Sequence, residues 1–175
     1  GGWNEARHRN DDAPDEASPL PIMETAIPAQ RGVSGKRGPL RLEGDDGELR
    51  GATPKVVVLM IGINNTGDNT AEEIAYGIKN MVKRIKKECP ETKVLLLDLL
   101  PTRGNQNDKV KAVNALTAKF DDRESVRFLD MGAKFVGNDG KAIDALYRDE
   151  VHLSRKGYEV WHATMNPLLT EMMGR

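Results

Sequence analysis

The sequence has little that points to disulfides, membranes or nucleic acid. Its 175 residues include one cysteine, so no internal disulfide can form; this, and the lack of a signal-like segment near residue 1, favours the cytoplasm. The longest apolar runs, 56–61 and 94–100, are far shorter than the roughly 20 residues of a membrane-spanning helix. Lysine and arginine total 26 against 27 acidic residues, which argues against nucleic acid or an anionic membrane as a partner.

The first 50 residues carry no pattern of secondary structure. Five of the nine prolines and eight of the seventeen glycines precede residue 54, and residues 10–16 are charged without periodicity. Such a composition predicts loop or disorder. From residue 54 onward the pattern is strong, and the length suits one domain with a sizeable core.

Three apolar runs predict buried strands, at residues 55–62, 93–100 and 126–129. Helical patterns lie between and after them. This alternation is typical of parallel strands joined by right-handed crossovers, and it predicts an α/β fold, a three-layer α/β/α sandwich with a parallel sheet. In such sheets function gathers at the carboxyl ends of the strands. The candidate regions are therefore residues 62–68, 101–107 and 130–152.

The three predicted helices differ in how well their ends are marked. The first begins at Thr70, because Glu73 completes a capping box. A second helix is predicted from the apolar spacing over residues 110–120. The last begins near Ser154, and Pro167 should kink it or break it in two. Its apolar stripe contains Tyr158, Trp161, Met165, Leu168, Leu169 and Met172.

A histidine and an aspartate three residues apart form the strongest candidate for catalysis. If a loop or a single turn holds them, Asp149 can accept a hydrogen bond from Nδ1–H of His152. The other ring nitrogen is then left as an oriented base. Asp-x-x-His also occurs by chance at helix starts, so the pattern gains its weight from its place in the final loop of the predicted sandwich.

The residues Gly62-Ile63-Asn64-Asn65, at the end of the first predicted strand, allow two interpretations. Glycine and asparagine tolerate positive φ angles, so the segment can be a simple turn out of the strand. Alternatively, the amide of Asn64 can donate a hydrogen bond to a developing oxyanion. The spacing alone leaves both interpretations open.

These two segments together resemble the GDSL/SGNH hydrolase superfamily, and within it the platelet-activating-factor acetylhydrolase catalytic-subunit type. The resemblance covers about residues 32–173, which divides the chain into a poorly patterned segment, 1–31, and a hydrolase-like domain, 32–175. It implies a flavodoxin-like sheet, hydrolysis of small, acetyl-like carboxylic esters by a Ser-His-Asp triad, and no metal or organic cofactor. Further similar stretches are residues 54–65, 99–104, 113–116 and 152–161.

The resemblance also implies roles for individual residues. Asp149 matches the acid of the triad and His152 its base. Asn64 matches the side-chain donor of the oxyanion hole. Gly35 matches the glycine whose backbone N–H completes that hole.

The nucleophile is the departure from the family pattern, because no Gly-Asp-Ser tripeptide occurs in the chain. Ser154 is explained as a helix cap, and Ser125 precedes a strand at its amino end. Ser18 lies between prolines, and Ser34 lies in the oxyanion-glycine stretch. If Gly2-Trp3 matches the Gly-Trp that often follows the family's serine, the nucleophile falls just before residue 1, and the family's first strand is expected to be absent.

This departure leaves two alternatives to a serine esterase. The chain can be a catalytically inactive remnant of the fold that acts as a binding or scaffold module. A flavodoxin-like nucleotide-binding or receiver domain is disfavoured, because no Gly-rich phosphate loop follows a strand and no acidic cluster ends the first one.

Loss of the first strand also has a physical consequence for the sheet. In the flavodoxin-like order that strand lies beside residues 56–61, so its absence leaves an apolar strand with an open edge. We expect marginal stability or self-association through that edge, including a homodimer.

Overall fold

The computed structural model describes residues 26–28 and 54–174. Short 3-10 turns lie at Ile63–Asn65, Ala118–Phe120, Gly132–Lys134 and Asp144–Leu146. Within the described ranges, none of the helices combines the length and the apolar character that crossing a bilayer requires. The elements are β1 (Ala26–Pro28), β2 (Val56–Leu59), α1 (Ala71–Glu88), β3 (Lys93–Leu97), α2 (Asn107–Thr117), β4 (Val126–Leu129) and α3 (Arg155–Met172).

The four strands form one parallel sheet in the order β1-β2-β3-β4. Val57 pairs with Val94, and Leu96 pairs with Phe128, so the predicted apolar runs lie side by side. β2 and β3 are each shorter than predicted, because the last residues of both runs leave the sheet to begin loops. Since the strands are parallel, these loops and the one after β4 all leave from the same edge.

Alternate side chains of the strands supply two separate cores. On one face, Val57 and Leu96 pack with the buried residues of α1 and α2. On the other face, Val58 and Leu95 pack with Met165 and other residues of α3. Successive side chains of a strand point to opposite faces, so helices are needed on both sides to cover this apolar sheet. The predicted three-layer α/β/α sandwich is confirmed.

Helix α1 begins where the capping pattern predicts. The hydroxyl of Thr70 accepts the backbone N–H of Glu73 at 3.2 Å, and the Glu73 carboxylate accepts the backbone N–H of Thr70 at 2.9 Å. Burial of one face against the sheet supplies most of the stability of such a helix. The buried stripe includes Ile74, Ile78, Met81, Val82 and Ile85.

Helix α3 differs from its prediction at two positions. It runs without a break through Pro167, so of the two predicted outcomes, a kink or a division into two helices, the division does not occur. The proline removes one backbone hydrogen bond, but Met165 and Leu169 are buried on either side of it and keep both parts against the sheet. Tyr158, predicted in the buried stripe, is 43% exposed.

Strand β1 corrects the prediction that residues 1–50 form no regular structure. Ala26–Pro28 pairs with the first three residues of β2, so the expected open edge of β2 is covered over those residues. Pro28 cannot donate a hydrogen bond, and it is tolerated because β1 is an edge strand. Three residues are too few to show a periodic pattern; the strand forms because the unpaired N–H and C=O groups of β2 provide partners.

Candidate active site

Three loops leave the carboxyl edge of the sheet and carry the candidate residues. Residues 60–69 follow β2 and contain the Gly-Ile-Asn-Asn turn, and residues 98–106 follow β3. Residues 130–154 follow β4 and contain Asp149 and His152. Parallel strands place these ends next to one another, so the loops form one polar rim.

Asp149 and His152 are in direct contact. Nδ1 of His152 lies 2.8 Å from Oδ2 and 3.0 Å from Oδ1 of Asp149. The same carboxylate accepts the backbone N–H of His152 at 2.8 Å and that of Val151 at 3.0 Å. These bonds fold the segment into one tight turn. The imidazole is therefore held both by its own backbone and through Nδ1, as an oriented base requires.

The pair is presented on a narrow loop. Tyr147 and Leu153 form an antiparallel bridge at its base, and the N–H of Arg148 donates to the carbonyl of His152 at 2.8 Å. The side chain of His152 is 62% exposed and that of Asp149 is 47% exposed. Among the described residues no hydrogen bond occupies Nε2 of His152, which leaves that nitrogen accessible to an incoming group.

The contacts make Asp149 a strongly acidic group. The backbone N–H of His152 contributes most to lowering its pKa from 3.8 to about 2, followed by the N–H of Val151, with a smaller effect from the His152 ring. Asp149 is therefore ionised at neutral pH. An ionised carboxylate on Nδ1 stabilises the imidazolium that forms when Nε2 takes up a proton.

The turn after β2 holds Asn64 on the same rim. Gly62 opens the turn with a φ of 123°, and its carbonyl accepts the N–H of Asn65 at 3.0 Å. Asn64 is exposed, and its side-chain amide forms no hydrogen bond with any other described residue. No described contact joins Asn64 to His152 either. The amide is thus free to donate, and the turn that the sequence also suggested is present.

Hydrogen bonds tie the three loops together. The hydroxyl of Thr66, in the first loop, lies 2.6 Å from Oε1 of Gln106 in the second. Arg103 of the second loop donates its backbone N–H to the carbonyl of Glu150 at 2.9 Å. Glu150 follows Asp149 directly, so this bond anchors the second loop to the turn that carries the pair.

Two side-chain contacts join the second loop to the third loop. Nε of Arg103 lies 2.8 Å from Oδ1 of Asp144. The hydroxyl of Tyr147, which is buried, donates to the carbonyl of Pro101. These two contacts hold the second and third loops of the rim together. Within the described part of the chain no three His, Cys, Asp or Glu side chains gather as metal ligands do.

Neither serine of the described region forms a hydrogen bond with His152. The hydroxyl of Ser154 accepts the N–H of Gly157 at 3.2 Å and donates to Ala145, which confirms its role as the cap of α3. Ser125 precedes β4 at the amino edge of the sheet and bonds to Asp122. Three residues considered in the sequence analysis lie outside the described residues, namely Ser18, Ser34 and Gly35.

Asp98, Arg103 and Tyr147 hold the loops of this rim, although the sequence alone predicted no role for them. Asp98 had a visible signal, because it is a single carboxylate within the apolar run 94–100. A carboxyl group in a buried run needs hydrogen-bond partners, and Asp98 finds them in the backbone N–H groups of the third loop. Arg103 and Tyr147 gave no comparable signal, since their contacts join segments more than 40 residues apart.

A family model and the sequences of curated relatives both place this chain in one family. The family model of the GDSL-like lipase/acylhydrolase family matches residues 5–160. Platelet-activating factor acetylhydrolase IB subunit alpha1 of Pongo abelii is 35% identical over 135 residues, which cover 75% of this chain and 58% of the relative. Subunit alpha2 of Gallus gallus is also 35% identical, over 133 residues that cover 73% and 57%. The chain thus spans less than two thirds of these relatives.

Solved structures agree on the fold. A carbohydrate esterase of family 3 from Talaromyces cellulolyticus has a TM-score of 0.61 at 22% identity, covering 72% of this chain and 62% of the other. A GDSL-like lipase from Bacteroides thetaiotaomicron has a TM-score of 0.60 at 19% identity, with 67% and 63% covered. With more than half of its length matched, the chain belongs to the GDSL-like lipase/acylhydrolase family.

Proposed function

We propose that the protein hydrolyses carboxylic esters, with Asp149 and His152 as the acid–base pair of a serine-type mechanism. The observation that carries the proposal is the 2.8 Å contact between Oδ2 of Asp149 and Nδ1 of His152, with Nε2 unoccupied among the described residues. Small, acetyl-like esters are the proposed substrates, because the matched relatives are named as acetylhydrolase subunits.

In this mechanism Nε2 of His152 takes the proton of a serine hydroxyl as the oxygen attacks the ester carbonyl. Asp149 stabilises the imidazolium, and the amide of Asn64, with the backbone N–H of Gly35, donates to the oxyanion. The imidazolium then gives the proton to the departing alcohol. Water repeats the sequence on the acyl-serine. General acid–base catalysis of this kind contributes about 10²–10⁴-fold to the rate.

The serine of this mechanism must come from outside the described residues, because Ser125 and Ser154 are engaged elsewhere. That engagement favours a second candidate function. A chain that keeps the fold and the Asp149–His152 pair but has no nucleophile would be a non-catalytic module that binds esters or a protein partner.

A serine-reactive phosphonate and the turnover of p-nitrophenyl acetate separate the two functions. For an esterase we expect covalent labelling and turnover, both reduced at least about 100-fold in His152→Ala. His162→Ala is the matched control, because His162 lies on α3 outside the pair, and it should keep both signals. A chain that shows neither labelling nor turnover, while its fold is intact by circular dichroism, would support the non-catalytic module.

A further inference from the structure

A buried carboxyl group outside the proposed mechanism lies under the rim. Asp98 follows the carboxyl end of β3, and it is 1% exposed. Its Oδ1 accepts the backbone N–H of Met131 at 3.1 Å, and its Oδ2 accepts that of Gly132 at 3.0 Å. Asp98 thus fastens the start of the third loop to the central part of the sheet.

A second carboxyl group shares this site. Oδ1 of Asp130 accepts the same N–H of Gly132 at 3.1 Å, so one oxygen of each carboxyl group faces a single N–H. Two ionised carboxylates cannot form a hydrogen bond to each other, and when they share one site they repel. One proton between the two side chains removes the repulsion and supplies the missing donor.

The turn that Asp98 holds packs against the base of the loop that carries Asp149 and His152. The N–H of Phe135 donates to the carbonyl of Gly132 at 2.9 Å, which closes the turn that Asp98 holds. The ring of Phe135 is fully buried and packs edge-on against Tyr147, with centroids 6.3 Å apart. Tyr147 precedes Asp149 by two residues, and its hydroxyl bonds to Pro101. A shift of the turn would therefore move the base of the loop.

We propose that Asp98 and Asp130 share one proton and act together as positioning residues for the loop that carries Asp149 and His152, a role that rests on the proposed function of that pair. Among the described residues, the titratable side chains that act on Asp98 from other elements are those of Asp130 and Tyr147. When the shared proton is lost, the two negative charges must separate or admit water. The turn over residues 131–135 is the part that yields.

The burial of Asp98 brings this change into the physiological range. Desolvation raises the pKa of Asp98 from 3.8 to about 7, and the charge of Asp130 adds to the effect. The N–H groups of Met131 and Gly132 oppose it only in part. Burial raises the pKa of Tyr147, and the charge of Asp98 raises it further, so that hydroxyl remains a donor at neutral pH.

Backbone amide shifts measured by NMR between pH 5 and 9 test the proposal without any need for turnover. The series is recorded in a His152→Ala background, so that titration of the imidazole does not contribute. We expect the amides of Met131, Gly132 and Tyr147 to move together, with one midpoint near pH 7. A failure of the esterase assay would leave this result unaffected, so the two proposals can fail separately.

The same series in Asp98→Asn identifies the group responsible. The carboxamide of this variant mimics the protonated acid, because its NH₂ can donate to Asp130 while its oxygen accepts the N–H of Met131. All three amides should then lose the shift near pH 7, whereas the matched control Asp139→Asn, at an exposed position of the same loop, should keep it. The proposal would be overturned if the three amide shifts did not change with pH while Asp98 is present. It would also be overturned if the pH-dependent shift of the Tyr147 amide persisted in Asp98→Asn.

Discussion

At the scale of single residues, Gly62 is a position where the backbone depends on residue type. Its φ of 123° lies in the region that residues with a side chain rarely adopt. A Cβ at this position would also lie 2.9 Å from Cγ2 of Ile74, which is fully buried in α1. Gly62 therefore permits both the exit of the chain from β2 and the place of Asn64 on the rim.

Gly62→Ala should destabilise the fold by about 1–3 kcal/mol, because both the backbone conformation and the contact with Ile74 become strained. Urea denaturation followed by circular dichroism measures the effect. Gly67→Ala is the matched control, since a Cβ at Gly67 meets nothing within 4 Å. Equal stability of the two variants would contradict this account of the turn.

The pKa of Asp149 predicts a loss of stability in acid. The group is more acidic in the folded chain than in the unfolded chain, about 2 against 3.8, so its contribution is present above pH 3.8 and disappears as the pH falls through 2. Asp149→Asn should reduce the difference between the unfolding free energies at pH 5 and pH 2.5. Asp68→Asn, at an exposed aspartate in the first loop, is the control. An unchanged difference in Asp149→Asn would count against the hydrogen bonds assigned to its carboxylate.

At the scale of elements, α3 and the loop before it are joined by direct backbone contact. A Cβ on Gly157 would lie 2.1 Å from the carbonyl oxygen of Leu146. That oxygen accepts the N–H of Ser154 at 2.9 Å, and the Ser154 hydroxyl caps the helix. The first turn of α3 thus fixes the end of the loop that carries His152.

Gly157→Ala should separate this turn from Leu146 and cost about 1–3 kcal/mol, although alanine favours helices. The side chain of His152 should lose its fixed orientation at the same time. Thermal unfolding gives the first effect, and the NMR signal of Nδ1–H of His152 gives the second. Lys156→Ala, one residue earlier on the exposed face, should change neither. A Gly157→Ala protein as stable as this control would show that the close approach is not required.

The elements were predicted from the sequence to different degrees. The capping box and the apolar stripe of α1 repeat over several turns, so both its start at Thr70 and its buried face follow from the residues alone. The continuation of α3 through Pro167 could not be predicted from the residues alone, because it depends on how strongly Met165 and Leu169 are held by the sheet. β1 did not follow either, since its formation depends on a free strand edge that lies far along the chain.

At the scale of the whole molecule, Asp98 predicts the opposite pH dependence to Asp149. Its pKa is raised in the folded chain, so the folded chain binds the proton more tightly, and stability falls as the pH rises from 3.8 through about 7. A shift of this size corresponds to about 4 kcal/mol. Asp98→Asn should therefore be more stable than the unsubstituted protein at pH 8 but not at pH 4.5. Urea denaturation at both pH values measures the difference, and equal effects at both would contradict the prediction.

The sheet edge beside β2 predicts self-association. β1 covers three residues of this edge, and its own outer side pairs with no other described strand. Exposed strand edges favour pairing with another chain, so we expect a homodimer or a larger assembly whose unfolding midpoint rises with protein concentration. Ile27→Lys, which places a charge on the edge strand, should reduce association. A sharp, concentration-independent transition together with a monomeric mass from sedimentation would exclude this assembly.

The sequence by itself determined the layers of the fold, the start of α1 and the identity of the Asp149–His152 pair. These features depend on neighbours within a few residues, where period, capping and spacing act directly. Only the tertiary structure decided what holds that pair in place. Asp98 and Arg103 contact the loop from distant parts of the chain, and Tyr147 joins the loop to Pro101, because parallel strands gather their ends at one edge.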